Sequence, residues 1–254
     1  MRPSALLSDL DGTLSPIAAS PEAAEVLPLC RESLASLPSC LDLVAVLSGR
    51  HAGVVRSMVD VARVEYFGVH GLTRWTPNGQ EVEPELASYV GRVADVLPRV
   101  RRLAREAGVV VEDKGLAVAV HYRQVSIPES TRTRMWGALV RIAGDVGFAA
   151  VEGRRVIEIR PPAPYGKGWR LTGLARDRGL RSIVYLGDDT TDIDAFEAIR
   201  SWRGDEGRVG VAIAVASDEA PARLLELADG VLPDVPSVGM FLAELARRLA
   251  QLSS

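Results

Sequence analysis

The sequence predicts an α/β fold, a parallel sheet covered on both faces, whose chain is interrupted by a smaller α+β module. Three observations carry this. Short apolar runs with no polar alternation at residues 5–7, 43–47, 182–186 and 209–215 read as strands buried on both sides. Stretches of helical length separate them, which is the rhythm of strand, helix, strand. Between Pro84 and the Pro161-Pro162-Ala163-Pro164 linker the rhythm changes to helix, strand, strand, used twice.

In chain order, residues 5–7 run into Asp9-Leu10-Asp11-Gly12-Thr13, two carboxylates one residue apart at the end of a strand. Alone, Asp-x-Asp-Gly serves equally well as an ordinary turn. An EF-hand loop fits less well, because its glycine belongs at position six and here it stands at position four. Residues 21–37 predict a helix that Pro28 breaks or delays. The strand over 43–47 ends in Ser48-Gly49-Arg50. A helix over 51–59 and a third strand over 64–69 lead to His70-Gly71. Pro77-Asn78-Gly79 then predicts a hairpin between 72–75 and 81–83.

The module is expected to hold a helix over 86–107, strands over 109–111 and 116–123, a helix over 129–145, and strands over 148–151 and 155–160. Its hairpin turns fall at 113–115 and 153–154. Alternation puts Val118, Val120 and Tyr122 on one face and His121 and Arg123 on the other; likewise Ile157 and Ile159 oppose Glu158 and Arg160. The apolar face can pack on the two helices, leaving a charged face that meets water or a ligand. After the linker, Lys167 opens a helix over 167–178, and the strand over 182–186 runs into Gly187-Asp188-Asp189-Thr190-Thr191-Asp192. A helix to 199, a strand over 209–215, a helix over 220–227, a strand near Val231 and a helix over 237–252 complete the chain. The core is therefore expected over 1–83 and 162–254, with the module at 84–161.

Composition narrows the function. The 254 residues carry a formal charge of −3 and no basic block, which argues against nucleic acid or an anionic membrane as partner. Arg99, Arg101, Arg102 and Arg105 suit a solvated helix face. Cys30 and Cys40 fit no metal spacing and read as buried thiols. With no signal-peptide pattern and no apolar run of membrane length, a soluble cytoplasmic chain is expected, its oligomeric state left open.

Strand ends in such sheets deliver side chains to one rim. That rim gathers Asp9 and Asp11, Ser48-Gly49, Lys167, and Asp188 with Asp189 and Asp192, a set suited to phosphate-ester cleavage. Asp9 is expected as nucleophile and metal ligand. Asp11 is expected to give its carbonyl to Mg²⁺ and its carboxyl as general acid and then base. Ser48 and the N–H groups near Gly12 and Gly49 would hold phosphate oxygens, and Lys167 would offset developing charge. Asp188 is the expected side-chain metal ligand, while Asp189 and Asp192 would ligate weakly or orient Lys167. Taken singly, each feature also fits a turn, a solvated lysine or a helix cap.

Asp9-Leu10-Asp11-Gly12-Thr13, Ser48, Lys167 and Gly187-Asp188-Asp189-Thr190-Thr191-Asp192 resemble the four motifs of the haloacid dehalogenase superfamily. More narrowly, Leu14-Ser15-Pro16-Ile17, Ser48-Gly49-Arg50, Gly68-Val69-His70-Gly71, Lys114-Gly115, His121-Tyr122-Arg123, Val156-Ile157-Glu158-Ile159-Arg160-Pro161 and Lys167-Gly168 resemble the trehalose-6-phosphate phosphatases. The resemblance implies a Rossmann-like core with an α/β cap closing over a sugar phosphate, and Mg²⁺-dependent hydrolysis of trehalose 6-phosphate to trehalose and phosphate. It implies substrate contacts at Gly49, Arg50, His70, Glu112, Lys114, Arg123 and Glu158. Ile193 and Val69 depart from the family pattern, which commonly has polar residues there. A phosphatase for sucrose phosphate or a glycosyl-3-phosphoglycerate, a phosphosugar mutase and a non-catalytic sensor are the alternatives.

Overall fold

A computed structural model describes residues 2–18, 20–122, 125–126, 128–153, 155–162, 164–205 and 207–253. It divides into two units, residues 1–80 with 166–254, and residues 81–165. The chain begins with β1 (Ser4–Ser8), α1 (Pro28–Ser36), β2 (Leu43–Leu47), α2 (Ala52–Val59), β3 (Glu65–Gly68), β4 (Thr73–Thr76) and β5 (Gly79–Val82). The second unit contributes α3 (Arg92–Ala107), β6 (Val110–Asp113), β7 (Val118–His121), α4 (Pro128–Gly144), β8 (Ala149–Gly153) and β9 (Val156–Arg160). The first unit resumes with α5 (Lys167–Asp177), β10 (Ser182–Gly187), α6 (Ile193–Trp202), β11 (Val209–Val215), α7 (Ala222–Leu227), β12 (Gly230–Leu232) and α8 (Val235–Ser253).

In the first unit the strand order is β12-β11-β10-β1-β2-β3-β4-β5. Pairs from β12 through β3 are parallel, and β4 runs antiparallel to β3. Because side chains alternate across a strand, Leu7, Ala45 and Tyr185 enter a core with Leu171 and Phe196, whereas Leu6, Val44 and Val46 enter another with Leu34, Val55 and Leu242. Two apolar faces explain the unbroken apolar runs. Parallel pairing also brings the carboxyl ends of β1, β2 and β10 to one rim, where the polar loops begin.

One expected helix starts late at its proline, as read from the sequence, and another divides. The one over 21–37 starts late, with a 3-10 turn at Pro21–Ala23 and α1 opening at Pro28, where proline's missing N–H has no helical acceptor to lose. The helix expected over 86–107 divides into a 3-10 segment, Pro84–Tyr89, and α3, because Gly91 takes φ +87 between them. The apolar period runs across this break.

The second unit is a four-stranded antiparallel sheet in the order β6-β7-β9-β8. One face buries Val118, Val120, Tyr122, Ile157 and Ile159 with Val96, Val100, Met135 and Leu139 from α3 and α4. On the other, register aligns Glu112, Ala119, Glu158 and Val151 in one row and Val110, His121, Val156 and Gly153 in the next. Arg123, assigned to substrate binding from sequence, and Arg154 of the hairpin lie outside the described residues. No helix among the described residues is long and apolar enough to cross a membrane.

Candidate active site

Three buried carboxylates meet at the rim. One oxygen from each of Asp9, Asp188 and Asp192 lies within 4.8 Å of the others. Asp9 is held at the end of β1 by its N–H donating to the Leu186 carbonyl at 2.9 Å. The chain then turns tightly, Leu14 N–H donating to the Leu10 carbonyl at 2.9 Å. Gly12 is required in that turn, for its φ is +85 and a Cβ there would stand 2.0 Å from Asp188 Oδ2.

Lys167 is the first residue of α5, an electrostatically poor place for a cation. Its ammonium lies 2.8 Å from both Asp9 Oδ1 and Asp192 Oδ1, and only 1% of the residue is exposed. Burial works against this charge, but the Asp192 and Asp9 carboxylates outweigh it and raise the lysine above its usual range. Asp192 holds the arrangement together. Its Oδ1 also accepts the Tyr185 hydroxyl at 2.6 Å, and its Oδ2 accepts the N–H groups of Asp188 and Asp189 at 3.1 Å each. With four donors on two oxygens, Asp192 acts as an anchor for Lys167 and for the loop. Asp189 caps the following 3-10 turn, accepting Thr190 N–H at 2.7 Å.

Burial pushes the Asp9 carboxyl well above the ordinary carboxylate range; Lys167 opposes this, and Asp192 and Asp188 add to it. Three buried carboxylates against one ammonium leave an excess of negative charge. The oxygen-rich set of Asp9, Asp188 and Asp192 fits a hard divalent cation, which would supply the missing positive charge.

Asp11 and Arg50 meet across two loops. Arg50 Nε and Nη2 donate to the two Asp11 oxygens at 2.7 Å each, and Nη1 donates to the Pro21 carbonyl at 2.8 Å. Arg50, assigned to the substrate by resemblance, thus clamps the carboxylate assigned to proton transfer. Ser48 is buried beside it, its Oγ accepting Arg50 N–H at 3.2 Å. His70 packs its ring against Gly49, where a Cβ would stand 2.7 Å from the imidazole. Val69 and His70 both take positive φ, +50 and +59, fixed by N–H donation to the Arg50 and Ser48 carbonyls at 2.8 Å each. A β-branched residue in that region is strained, and the two hydrogen bonds hold it there.

In the second unit Lys114 follows β6, and its ammonium sits 2.5 Å from Glu158 and 4.0 Å from Glu112. Ala119, paired to both glutamates, leaves the space over which this lysine reaches. His121 Nε2 donates to Glu112 at 2.9 Å; an ionised carboxylate can only accept, which fixes the tautomer. Burial pushes Glu112 up, but His121 and Lys114 outweigh it and hold the group below its usual range.

Sequence reasoning missed the Tyr185 hydroxyl on Asp192 and the His121 contact to Glu112. One compositional signal was available. The chain has 30 basic residues, of which only Lys114 and Lys167 are lysines, and both are buried among carboxylates. In a chain that otherwise uses arginine, a lysine marks a place that needs a compact point charge.

A family model described as trehalose-phosphatase matches residues 7–224. A trehalose-phosphate phosphatase of Mycobacterium avium is 36% identical over 249 residues, covering 89% of this chain and 61% of that protein. An uncharacterized glycosyl hydrolase of Mycobacterium tuberculosis is 36% identical over 227 residues, covering 86% of the chain and 16% of that protein. The chain thus spans less than two thirds of the length of either relative. A crystal structure of a trehalose-6-phosphate phosphatase related protein superposes with a TM-score of 0.80 at 20% identity, over 98% of this chain and 99% of that one. With strand order, buried carboxylate cluster and family match agreeing, the chain belongs to the trehalose-phosphatase family.

Proposed function

We propose that the chain hydrolyses trehalose 6-phosphate to trehalose and phosphate, with Mg²⁺ as cofactor. The observation that carries this is the Lys167 ammonium held between Asp9 and Asp192 beside Asp188. Asp9, at the strand end, attacks phosphorus; the bond from phosphorus to the sugar oxygen breaks, and the departing oxygen takes a proton from Asp11. Water then attacks the aspartyl-phosphate, giving its proton to Asp11, and the bond to Asp9 breaks to release phosphate. Lys167 offsets the charge that builds on the transferred group, and Ser48 with the Gly49 N–H is suited to hold its oxygens, whereas the N–H groups of Gly12, Thr13 and Leu14 are given to the Ser15 and Leu10 carbonyls within the turn. When bound, Mg²⁺ would neutralise phosphate charge and align the ester with Asp9. A sugar alkoxide leaves poorly without a proton, which is why the Asp11 position matters.

Residues 81–165 are read as the substrate-recognition unit. Glu112 and Glu158 are suited to accept hydrogen bonds from sugar hydroxyls, and Lys114 to donate to their oxygens. Phosphate release across trehalose 6-phosphate, sucrose 6-phosphate, glucose 6-phosphate and glucosyl-3-phosphoglycerate, with Mg²⁺ and with a chelator, tests the reading. A strong Mg²⁺-dependent preference for trehalose 6-phosphate is expected. Preference for another ester would keep the chemistry and replace the substrate; isomeric sugar phosphate in place of free phosphate would mark a mutase, and no turnover a sensor.

A further inference from the structure

Arg160 ends β9 two residues beyond Glu158, so strand alternation puts it on the charged face with Glu158. Its cross-strand partner on β8 is Ala149, whose small side chain leaves room beside it. The Nε and Nη1 atoms of its guanidinium are buried with no hydrogen-bond partner among the described residues. The two glutamates of this face pair with other groups. Glu158 is held by Lys114 at 2.5 Å, and Glu112 by His121 at 2.9 Å. Arginine cannot relieve this by losing its proton, as a buried lysine can. Buried donors without acceptors oppose folding, and native chains keep them where another acceptor, water or a ligand, completes the set.

We infer that Arg160 is a further substrate-binding residue, its Nε and Nη1 donating to an oxygen of the bound sugar phosphate. This rests on the reading of the second unit as the recognition unit. The fork of the guanidinium suits adjacent oxygens, which a sugar supplies as neighbouring hydroxyls and a phosphate as its terminal oxygens. Either source offers the same lone-pair chemistry. The face then has an internal division: Lys114 balances the two glutamates, while Arg160 holds donors in reserve for the ligand.

The test compares the unsubstituted chain with Arg160→Gln and Arg160→Lys in Mg²⁺, by KM and kcat on trehalose 6-phosphate, inhibition by free trehalose, and thermal midpoint. Arg160→Gln is expected to raise KM by about tenfold or more, the usual loss of a charged hydrogen bond, with a greater effect on trehalose 6-phosphate than on a small aryl phosphate. Its thermal midpoint is expected not to fall, since no protein acceptor is lost. Arg160→Lys is expected to recover only part of the affinity. Parallel weakening of trehalose inhibition would place the contact on a sugar oxygen, and unaltered inhibition on a phosphate oxygen; both support the inference. An unchanged KM overturns it, as does a lowered midpoint with equal losses on both substrates. If the unsubstituted chain prefers another disaccharide phosphate, trehalose specificity fails and the same comparison on that ester decides Arg160; no turnover of any sugar phosphate overturns both.

Discussion

The Asp192 carboxylate holds the Lys167 ammonium at 2.8 Å while its second oxygen holds the backbone on which Asp188 stands. Lysine and the loop at Asp188 and Asp189 are therefore both held by one residue. Asp192→Asn keeps a carbonyl for one side of this network and loses the other. Turnover is expected to fall about 10²-fold. Thermal unfolding should show a loss of about 2–3 kcal/mol, the usual result of leaving buried donors without an acceptor. Normal turnover in the variant would mean that Asp9 alone places Lys167.

Lys167→Arg tests why lysine is used there. The pocket encloses all but 1% of the residue and offers two carboxylate oxygens at 2.8 Å to one nitrogen. A planar fork does not fit a point between two carboxylates. The variant is expected to lose turnover about 10²-fold or more despite keeping the charge, as steady-state phosphate release would report.

Arg50 and Asp11 make a prediction that depends on the leaving group. With both Asp11 oxygens held by Arg50 at 2.7 Å, removing the guanidinium releases the Asp11 carboxylate from its place while Asp9 keeps its contact to Lys167. Arg50→Ala should therefore slow hydrolysis of a sugar ester, whose alkoxide needs a proton, about tenfold more than that of an aryl ester, which leaves without one. Equal effects on the two would assign Arg50 to phosphate binding instead.

Asp188 faces the excess negative charge at the rim, with Thr13 Oγ1 donating to its Oδ1 at 3.3 Å. Mg²⁺ should raise the thermal midpoint of the unsubstituted chain by mass action and have little effect on Asp188→Asn. An equal rise in both chains would place the ion elsewhere.

A structural carboxylate sets one pH dependence. Burial raises the Asp229 carboxyl, but Arg203, at 2.7 and 2.8 Å, and the Ala212 N–H, at 2.8 Å, outweigh it and hold the group below its usual range. A depressed folded-state pKa gives stability that is present above the unfolded value and lost as pH falls through the folded one. Asp229→Asn should therefore destabilise the chain near neutrality, with the difference shrinking below pH about 4. Denaturant unfolding at both pH values measures it.

The core strands were legible because each is apolar throughout. Residues 43–47 and 209–215 appear as β2 and β11 with the expected limits. The break at Gly91 was hidden because apolar residues continue in helical phase across it. Local pattern placed Asp9, Lys167 and Asp188 at strand ends or a helix start, from which their shared rim follows. It could not reveal that Arg50 reaches Asp11, since that pairing joins loops 39 residues apart. Nor could it find His121 on Glu112, which depends on a strand register that hairpin geometry sets.

The central claim is that Asp9 takes the phosphoryl group. Rapid acid quenching during turnover of trehalose 6-phosphate, followed by peptide mass spectrometry, tests it directly. A phosphoryl adduct is expected on the peptide carrying Asp9 and is absent in Asp9→Asn. An adduct on another residue, or undiminished phosphate release by Asp9→Asn, would contradict it.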